Sequence, residues 1–315
     1  MSRAFVFPGQ GAQTIGMGRD LAGAYPQARA VFEEVDEALG EALSALIWEG
    51  EAEALTLTEN AQPALMATSM AAMRALEAEG VELGDAAMVA GHSLGEYSAL
   101  AAAGALGLGD TARLLRIRGR AMQEAVPVGA GAMAAILGLD LEGARTLAGD
   151  AAEGQVLEAA NDNDPGQVVI SGHREAVERA VAMAKGRGAK RAVLLPVSAP
   201  FHCALMAPAA EAMAEALDGV EIAVPEVPVV ANVLAEAVQD PGIIRQLLVE
   251  QVTGAVRWRE SVQFMAAHGV TETWEIGAGK ALSGMIRRIA REIETRAVGT
   301  PDDVTEAAAS LAAQS

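Results

Sequence analysis

The stretch Ala86-Ala87-Met88-Val89-Ala90-Gly91-His92-Ser93-Leu94-Gly95 carries two patterns that meet at a serine. Ala86 to Ala90 is a continuous apolar run too short for a typical helix and reads as a buried strand, while Glu96 to Leu106 resumes at helical spacing. Between them Gly91-His92-Ser93-Leu94-Gly95 matches G-x-S-x-G in the strand-turn-helix setting that this motif requires. Small residues let the chain turn sharply, so the Ser93 oxygen is expected in the open at a helix N-terminus. There the N–H of Leu94 and the helix dipole can meet a developing oxyanion.

The elements on either side extend the same α/β rhythm. Ala4 to Phe7 is a short apolar strand stopped by Pro8-Gly9 and followed by the turn Gly9-Gln10-Gly11, with a helix expected next. Apolar residues recur at helical spacing from Ala61 to Leu76, and Leu114 to Val126 reads as an amphipathic helix in a segment bearing Arg113, Arg116, Arg118 and Arg120. Residues 129–197 differ. Strands over Ala132–Leu137, Val156–Ala160, Gln167–Ser171 and Ala192–Val197 and helices over Leu141–Ala151 and Arg174–Arg187 give the order βαββαβ, with Asn161-Asp162-Asn163-Asp164-Pro165-Gly166 as a turn. The remainder returns to α/β character. It has strands at Val227–Ala231 and Thr273–Ile276, helices at Ile243–Val252 and Ser261–His268, and a helix from Gly277-Ala278-Gly279-Lys280 through Ile289. The last fifteen residues read as a surface helix with a frayed tail. The expected fold class is therefore α/β: a large α/β-hydrolase-like domain with a parallel sheet and a nucleophile elbow, in two parts (1–128 and 198–315). A small ferredoxin-like subdomain (129–197) is inserted between them.

Composition narrows the partners. The chain has 315 residues, 51% hydrophobic and 21% charged, so global disorder is excluded. A formal net charge of −19 repels polyphosphates, which argues against nucleic acid or an anionic membrane as the main partner. Cys203 is the only cysteine, so neither an internal disulfide nor a cysteine-rich zinc site is available, and a reducing cytoplasm fits. The opening MSRAFVF meets Pro8-Gly9 before a signal-peptide length develops, and no run approaches the ~18 apolar residues of a membrane span. A soluble, unprocessed cytoplasmic protein is expected.

A serine hydroxyl needs a base to take its proton, and histidine is the usual one. Four histidines are present. His92 flanks the turn and points away from Ser93, His173 begins a helix of the insert, and His268 lies near a helix end. His202 follows the segment where the chain leaves the insert, so a loop can carry it over the elbow. Two weaker signals fail: Gly9-Gln10-Gly11 has Thr14 at the sixth position of a dinucleotide fingerprint, and Gly279-Lys280 has Trp274 and Ala281 where a phosphate loop needs Gly and Ser or Thr. Asn161-Asp162-Asn163-Asp164 likewise lacks the frame of a calcium loop.

Taken jointly, FPGQGAQ (7–13), GHSLGEYSAL (91–100), RGRAMQEAVP (118–127), NDNDPGQVVISG (161–172), PVSAPFHCALM (196–206) and IGAGKALSG (276–284) resemble the malonyl-coenzyme A:acyl carrier protein transacylase family, over about Ala4 to Ile289. The resemblance implies malonyl transfer from malonyl-CoA to acyl carrier protein for fatty acid synthesis, with no cofactor and no metal. It casts Ser93 as nucleophile, His202 as its base, the N–H groups of Gln10 and Leu94 as the oxyanion hole and Arg118 as the clamp on the malonyl carboxylate. It orients the histidine by a backbone carbonyl, at Gln251, and not by a catalytic acid. By themselves the four arginines near 113–120 also read as one solvated helix face. A discrete malonyl acyltransferase of a polyketide pathway, or a serine thioesterase, remains as an alternative. Phe201 before His202 looks like the malonyl-selective acyltransferase domains of polyketide synthases. An acidic carrier protein requires a local basic surface, for which Lys185, Arg187, Lys190, Arg191, Arg287 and Arg288 are the candidates.

Overall fold

The computed structural model describes residues 2–197 and 199–313. Ser198, within the PVSAPFHCALM stretch, lies outside the described residues, as do Gln314 and Ser315 of the expected tail. Along the described chain run β1 (Arg3–Phe7), β2 (Met88–Gly91), β3 (Gly131–Leu137), β4 (Leu157–Asp164), β5 (Gln167–His173), β6 (Arg191–Leu194), β7 (Val229–Val230), β8 (Ala237–Val238), β9 (Glu272–Ile276) and β10 (Glu294–Val298).

The main sheet has the order β10-β9-β1-β2-β7-β8, parallel throughout except for β8. Its strands are apolar on both sides because both faces are covered. Phe5, Phe7 and Val89 pack into one core with the helices Pro26–Leu39, Thr58–Ala78 and Leu108–Glu124. Ala4, Val6, Met88 and Ala90, one residue out of phase, join a second core with Trp258–Ala267 and Ala281–Ile289. No helix among the described residues is long and apolar enough to cross a membrane.

Residues 131–194 form a second sheet, order β4-β5-β3-β6, with every neighbouring pair antiparallel. The helices Leu141–Ala152 and Arg174–Ala184 cover one face, where Ala134, Ile136 and Ile170 make a small core. The alternate residues Met133, Ala135 and Val169 join the large core instead. The observed order of elements is βαββαβ.

Three sequence readings are corrected. The helix expected straight after Gly11 starts only at Arg19, because Gly11, Gly16 and Gly18 adopt φ values of 108°, 89° and 73°, which interrupt a helix. The strands β8 and β10 and the helices Pro26–Leu39, Leu43–Glu49, Ala52–Thr56 and Ala207–Asp218 were not anticipated. The largest correction concerns Asn161 to Asp164, expected in a turn but belonging to β4, with the turn confined to Pro165-Gly166. This polar strand is buried because its edge is bonded to the large body: Asp162 N–H donates to the Val256 carbonyl and Val256 N–H to the Ala160 carbonyl, both at 2.9 Å. Its carboxylates are paired as well, Asp162 with Arg259 at 2.8 Å and Asp164 with Arg288 at 2.7 Å. Asn161 and Asn163 face the other way and line the cleft between the two bodies.

Candidate active site

Neighbouring parallel strands set up the site. Phe7 of β1 stands in register with Gly91 of β2, so the turns that follow, Pro8 to Gly11 and His92 to Leu94, lie side by side. His92 N–H donates to the Phe7 carbonyl at 3.1 Å. The glycines of the elbow are dictated by this closeness: a Cβ on Gly91 would fall 1.9 Å from the Gly95 carbonyl, and one on Gly95 would fall 2.3 Å from the Phe7 oxygen. Ser93 between them has φ 53° and ψ −111°, a costly conformation for a residue with a side chain. Asn232, which follows β7, holds it there. Its Oδ1 accepts from Ser93 N–H at 2.7 Å and its Nδ2 donates to the Gly91 carbonyl at 2.6 Å.

Ser93 Oγ lies 2.8 Å from His202 Nε2, and His202 Nδ1 lies 2.8 Å from the Gln251 carbonyl. A carbonyl only accepts, so Nδ1 carries the hydrogen and Nε2 presents its lone pair to the serine. Burial, followed by the positive charge of Arg118, pushes the His202 pKa down to about 3, so the imidazole is neutral at pH 7 and free to take a proton. The remaining histidines are engaged elsewhere. His92 Nε2 meets Asn163 Oδ1 at 2.9 Å, His173 Nδ1 accepts from Val156 N–H at 3.0 Å, and His268 Nδ1 donates to the Phe264 carbonyl at 2.8 Å.

The helix Leu108–Glu124 separates its four arginines by partner. Arg113 pairs with Asp110, Arg116 with Glu41 and Arg120 with Glu59. Arg116 also donates to the Glu59 carbonyl at 2.9 Å, an acceptor orphaned because Pro63, four residues on, has no N–H. Arg118 is different: 1% exposed, it makes no salt bridge among the described residues. Its guanidinium donates to Gln62 Oε1 at 2.7 Å, Gln251 Oε1 at 2.8 Å and Ser93 Oγ at 3.1 Å, and it lies over the Tyr97 ring. Its Nε–H has no hydrogen-bond partner among the described residues. A buried cation held only by neutral acceptors, touching a serine oxygen, is a ready site for an anion.

These groups open on one cavity of about 490 Å³ between the large body and the second sheet. Gln10 and Leu94 line it with Ser93, His202 and Arg118, so five of the six predicted residues share its wall. Gln251 stands behind them, fully buried. Sequence reasoning missed Gln62, Glu96, Asn163 and Asn232. A signal for Glu96 exists, since it is the one charged residue in the apolar run from Leu94 to Leu106 and a helix apolar all round is buried. Of the candidate basic surface, Arg187 pairs with Asp150 and Arg288 with Asp164, whereas Lys185, Lys190 and Arg191 are exposed and make no salt bridge among the described residues.

The acyl transferase domain model matches residues 4–307. The chain is 50% identical over 304 residues to the malonyl CoA-acyl carrier protein transacylase of Escherichia coli (strain K12), covering 96% of this chain and 98% of that protein. It is 49% identical over 302 residues to the protein of the same name from Bacillus subtilis (strain 168), covering 96% and 94%. Among solved structures, the acyl-carrier-protein-S-malonyltransferase of Bartonella henselae superposes with a TM-score of 0.97 at 55% identity, over 99% of this chain and 100% of that one. A malonyl-transacylase solved in complex with its type II polyketide synthase acyl-carrier protein gives 0.95 at 44% identity, over 98% and 100%.

Proposed function

The chain belongs to the acyl transferase domain family, and from that premise we propose that it moves the malonyl group of malonyl-CoA to the phosphopantetheine thiol of an acyl carrier protein. The route is ping-pong, through a malonyl ester on Ser93. One observation carries the reading: a buried Arg118 that makes no salt bridge among the described residues lies 3.1 Å from the oxygen of a serine that is itself 2.8 Å from a neutral imidazole. Malonyl differs from acetyl by a carboxylate. A planar guanidinium binds it through parallel charge-assisted hydrogen bonds, each worth roughly 1.5–3 kcal/mol.

Ser93 Oγ attacks the thioester carbonyl and passes its proton to His202 Nε2, while the Gln251 carbonyl steadies the imidazolium through Nδ1–H. The N–H groups of Gln10 and Leu94 receive the developing oxyanion. The tetrahedral adduct collapses with cleavage of the C–S bond, coenzyme A leaves as the thiol with the proton of His202, and the malonyl ester remains. The carrier thiol repeats the sequence, His202 taking its proton and returning it to Ser93. Malonyl-CoA and the carrier protein are substrates, and no resident cofactor is assigned. The carrier, typically acidic, is received on Lys185, Lys190 and Arg191.

Within this reading the large body is α/β-hydrolase-like in two parts, 1–128 and 198–315, and 129–197 is a ferredoxin-like insert whose sheet roofs the cleft. The setting is cytoplasmic fatty acid synthesis. A polyketide pathway is the second reading, supported by the 44% identity to a transacylase solved with a polyketide carrier.

Intact mass spectrometry after mixing with malonyl-CoA tests the proposal. One malonyl adduct is expected, absent in Ser93→Ala, and acetyl-CoA should label far less. Arg118→Ala should cut the malonyl-over-acetyl preference roughly 10- to 100-fold; an unchanged preference would remove the arginine from its role.

A further inference from the structure

Resting on the transferase reading, we propose that Glu96 is a positioning residue: one of its carboxylate oxygens seats Gln251 and Asn232, the two residues that hold the clamp arginine and the nucleophile turn. Glu96 lies in the first turn of the helix Leu94–Ala102 and is 3% exposed. An acidic residue there ordinarily faces solvent and complements the helix dipole. Its hydrogen bonds instead reach across the molecule, with Oε2 accepting from Gln251 Nε2 at 2.8 Å and from Asn232 N–H at 3.0 Å.

The consequence for Gln251 is a fixed amide. Its Nε2 also donates to the Ser93 carbonyl at 3.0 Å, and its Oε1 accepts from Arg118 Nη2 at 2.8 Å. Glu96 Oε2 and the Ser93 carbonyl are acceptors, so the amide must turn its NH₂ to them and its oxygen to Arg118. A flipped amide would set N–H against the guanidinium N–H. Asn232, held by its backbone N–H, bridges Ser93 N–H and the Gly91 carbonyl with its side chain. One oxygen thus serves both the anion clamp and the strained turn.

Both contacts fall on Oε2, so a proton on Oε1 leaves them intact. Burial pushes the Glu96 carboxyl up to about 7, against the opposing pull of its hydrogen bonds and of Arg118, and both protonation states are compatible with the seat. An amide oxygen can occupy the same place, which separates an acceptor role from a charge role.

The test compares Ser93 acylation by malonyl-CoA and acetyl-CoA in wild type, Glu96→Leu and Glu96→Gln, each checked for folding by thermal melting. Glu96→Leu is expected to lose about tenfold in the malonyl-to-acetyl ratio, and Glu96→Gln to stay within about twofold of wild type. In an Arg118→Ala background, Glu96→Leu should lower the ratio no further. A folded Glu96→Leu with the wild-type ratio overturns the proposal, as does a Glu96→Gln that falls equally far or an undiminished loss in the Arg118→Ala background. If Glu96→Leu does not fold, Gln251→Met cuts the same relay and should reproduce the loss, and an unchanged ratio overturns the proposal. A wild type that takes up no malonyl group would instead sink the transferase reading itself.

Discussion

The elbow at Gly91–Gly95 and the strand Leu157–Asp164 both deliver side chains to the cleft, yet they are held in place by different physics. The elbow is shaped from within. Gly91 and Gly95 are required by contacts of 1.9 Å and 2.3 Å that any Cβ would make, one within the motif and one with the adjacent strand. The polar end of β4 is shaped from outside, by the Val256 backbone and by Arg259 and Arg288 from the far part of the chain. One is a steric necessity of neighbours and the other a pairing of distant charges, so the two should fail in different ways.

The largest effect is expected at the elbow. Gly95→Ala should destabilise the fold by about 3 kcal/mol, read by chemical denaturation, and abolish Ser93 acylation, because backbone must move to admit the methyl group. Gly166→Ala, in the turn between β4 and β5 with its nearest neighbour 3.9 Å away, should stay within about 0.5 kcal/mol. Equal losses at the two glycines would erase the contrast.

Glu96, behind the elbow, should show itself in pH dependence. Its folded pKa is raised to about 7 from an ordinary 4.5, so the native state holds a proton that the unfolded chain has released between those values. That stabilisation is complete below about 4.5 and is lost as pH rises through about 7. The stability of wild type minus that of Glu96→Gln should therefore grow on acidification over this window, by about 3 kcal/mol. Melting curves at matched ionic strength measure it; a flat difference would mean that Glu96 titrates as it does in the unfolded chain.

The β4 anchor sharpens the comparison from the other side. Asp162→Ala leaves Arg259, 23% exposed, with only the longer contact to Glu260 at 4.0 Å and should cost about 2 kcal/mol. Asp164→Ala frees Arg288, 54% exposed, and should cost about 1 kcal/mol or less. Because Asn161 and Asn163 alternate with these carboxylates along the strand, Asp162→Ala should also raise the KM for malonyl-CoA in steady-state assays while leaving Ser93 acylation at saturation largely intact. A loss confined to saturated acylation would place the strand's influence on the chemistry and not on the cleft.

Much of this was legible in the chain. The apolar run before Gly91 and the helix after Gly95 are local patterns, and elimination among four histidines led to His202, the one whose Nε2 meets Ser93 Oγ. The turn assigned to Asn161–Asp164 was misread for an equally physical reason. Asn and Asp favour turns when their side chains must find local partners, and nothing nearby announces that Arg259 and Arg288 will supply distant ones. Gln62 left no comparable trace, and Asn232 only that of a lone polar residue within the apolar run from Val227 to Ala235.

By itself the sequence determined that a serine would sit in a sharp turn between a buried strand and a helix, since that follows from the size of glycine and the period of apolar residues. Only the tertiary structure decided which of four arginines stands beside it: three find carboxylates, and Arg118 meets Gln62, Gln251 and Ser93. Those partners lie 25 to 133 positions away along the chain. Short-range sterics are written in adjacent residues, whereas the burial and neutralisation of a charge are set by whatever the completed fold brings against it.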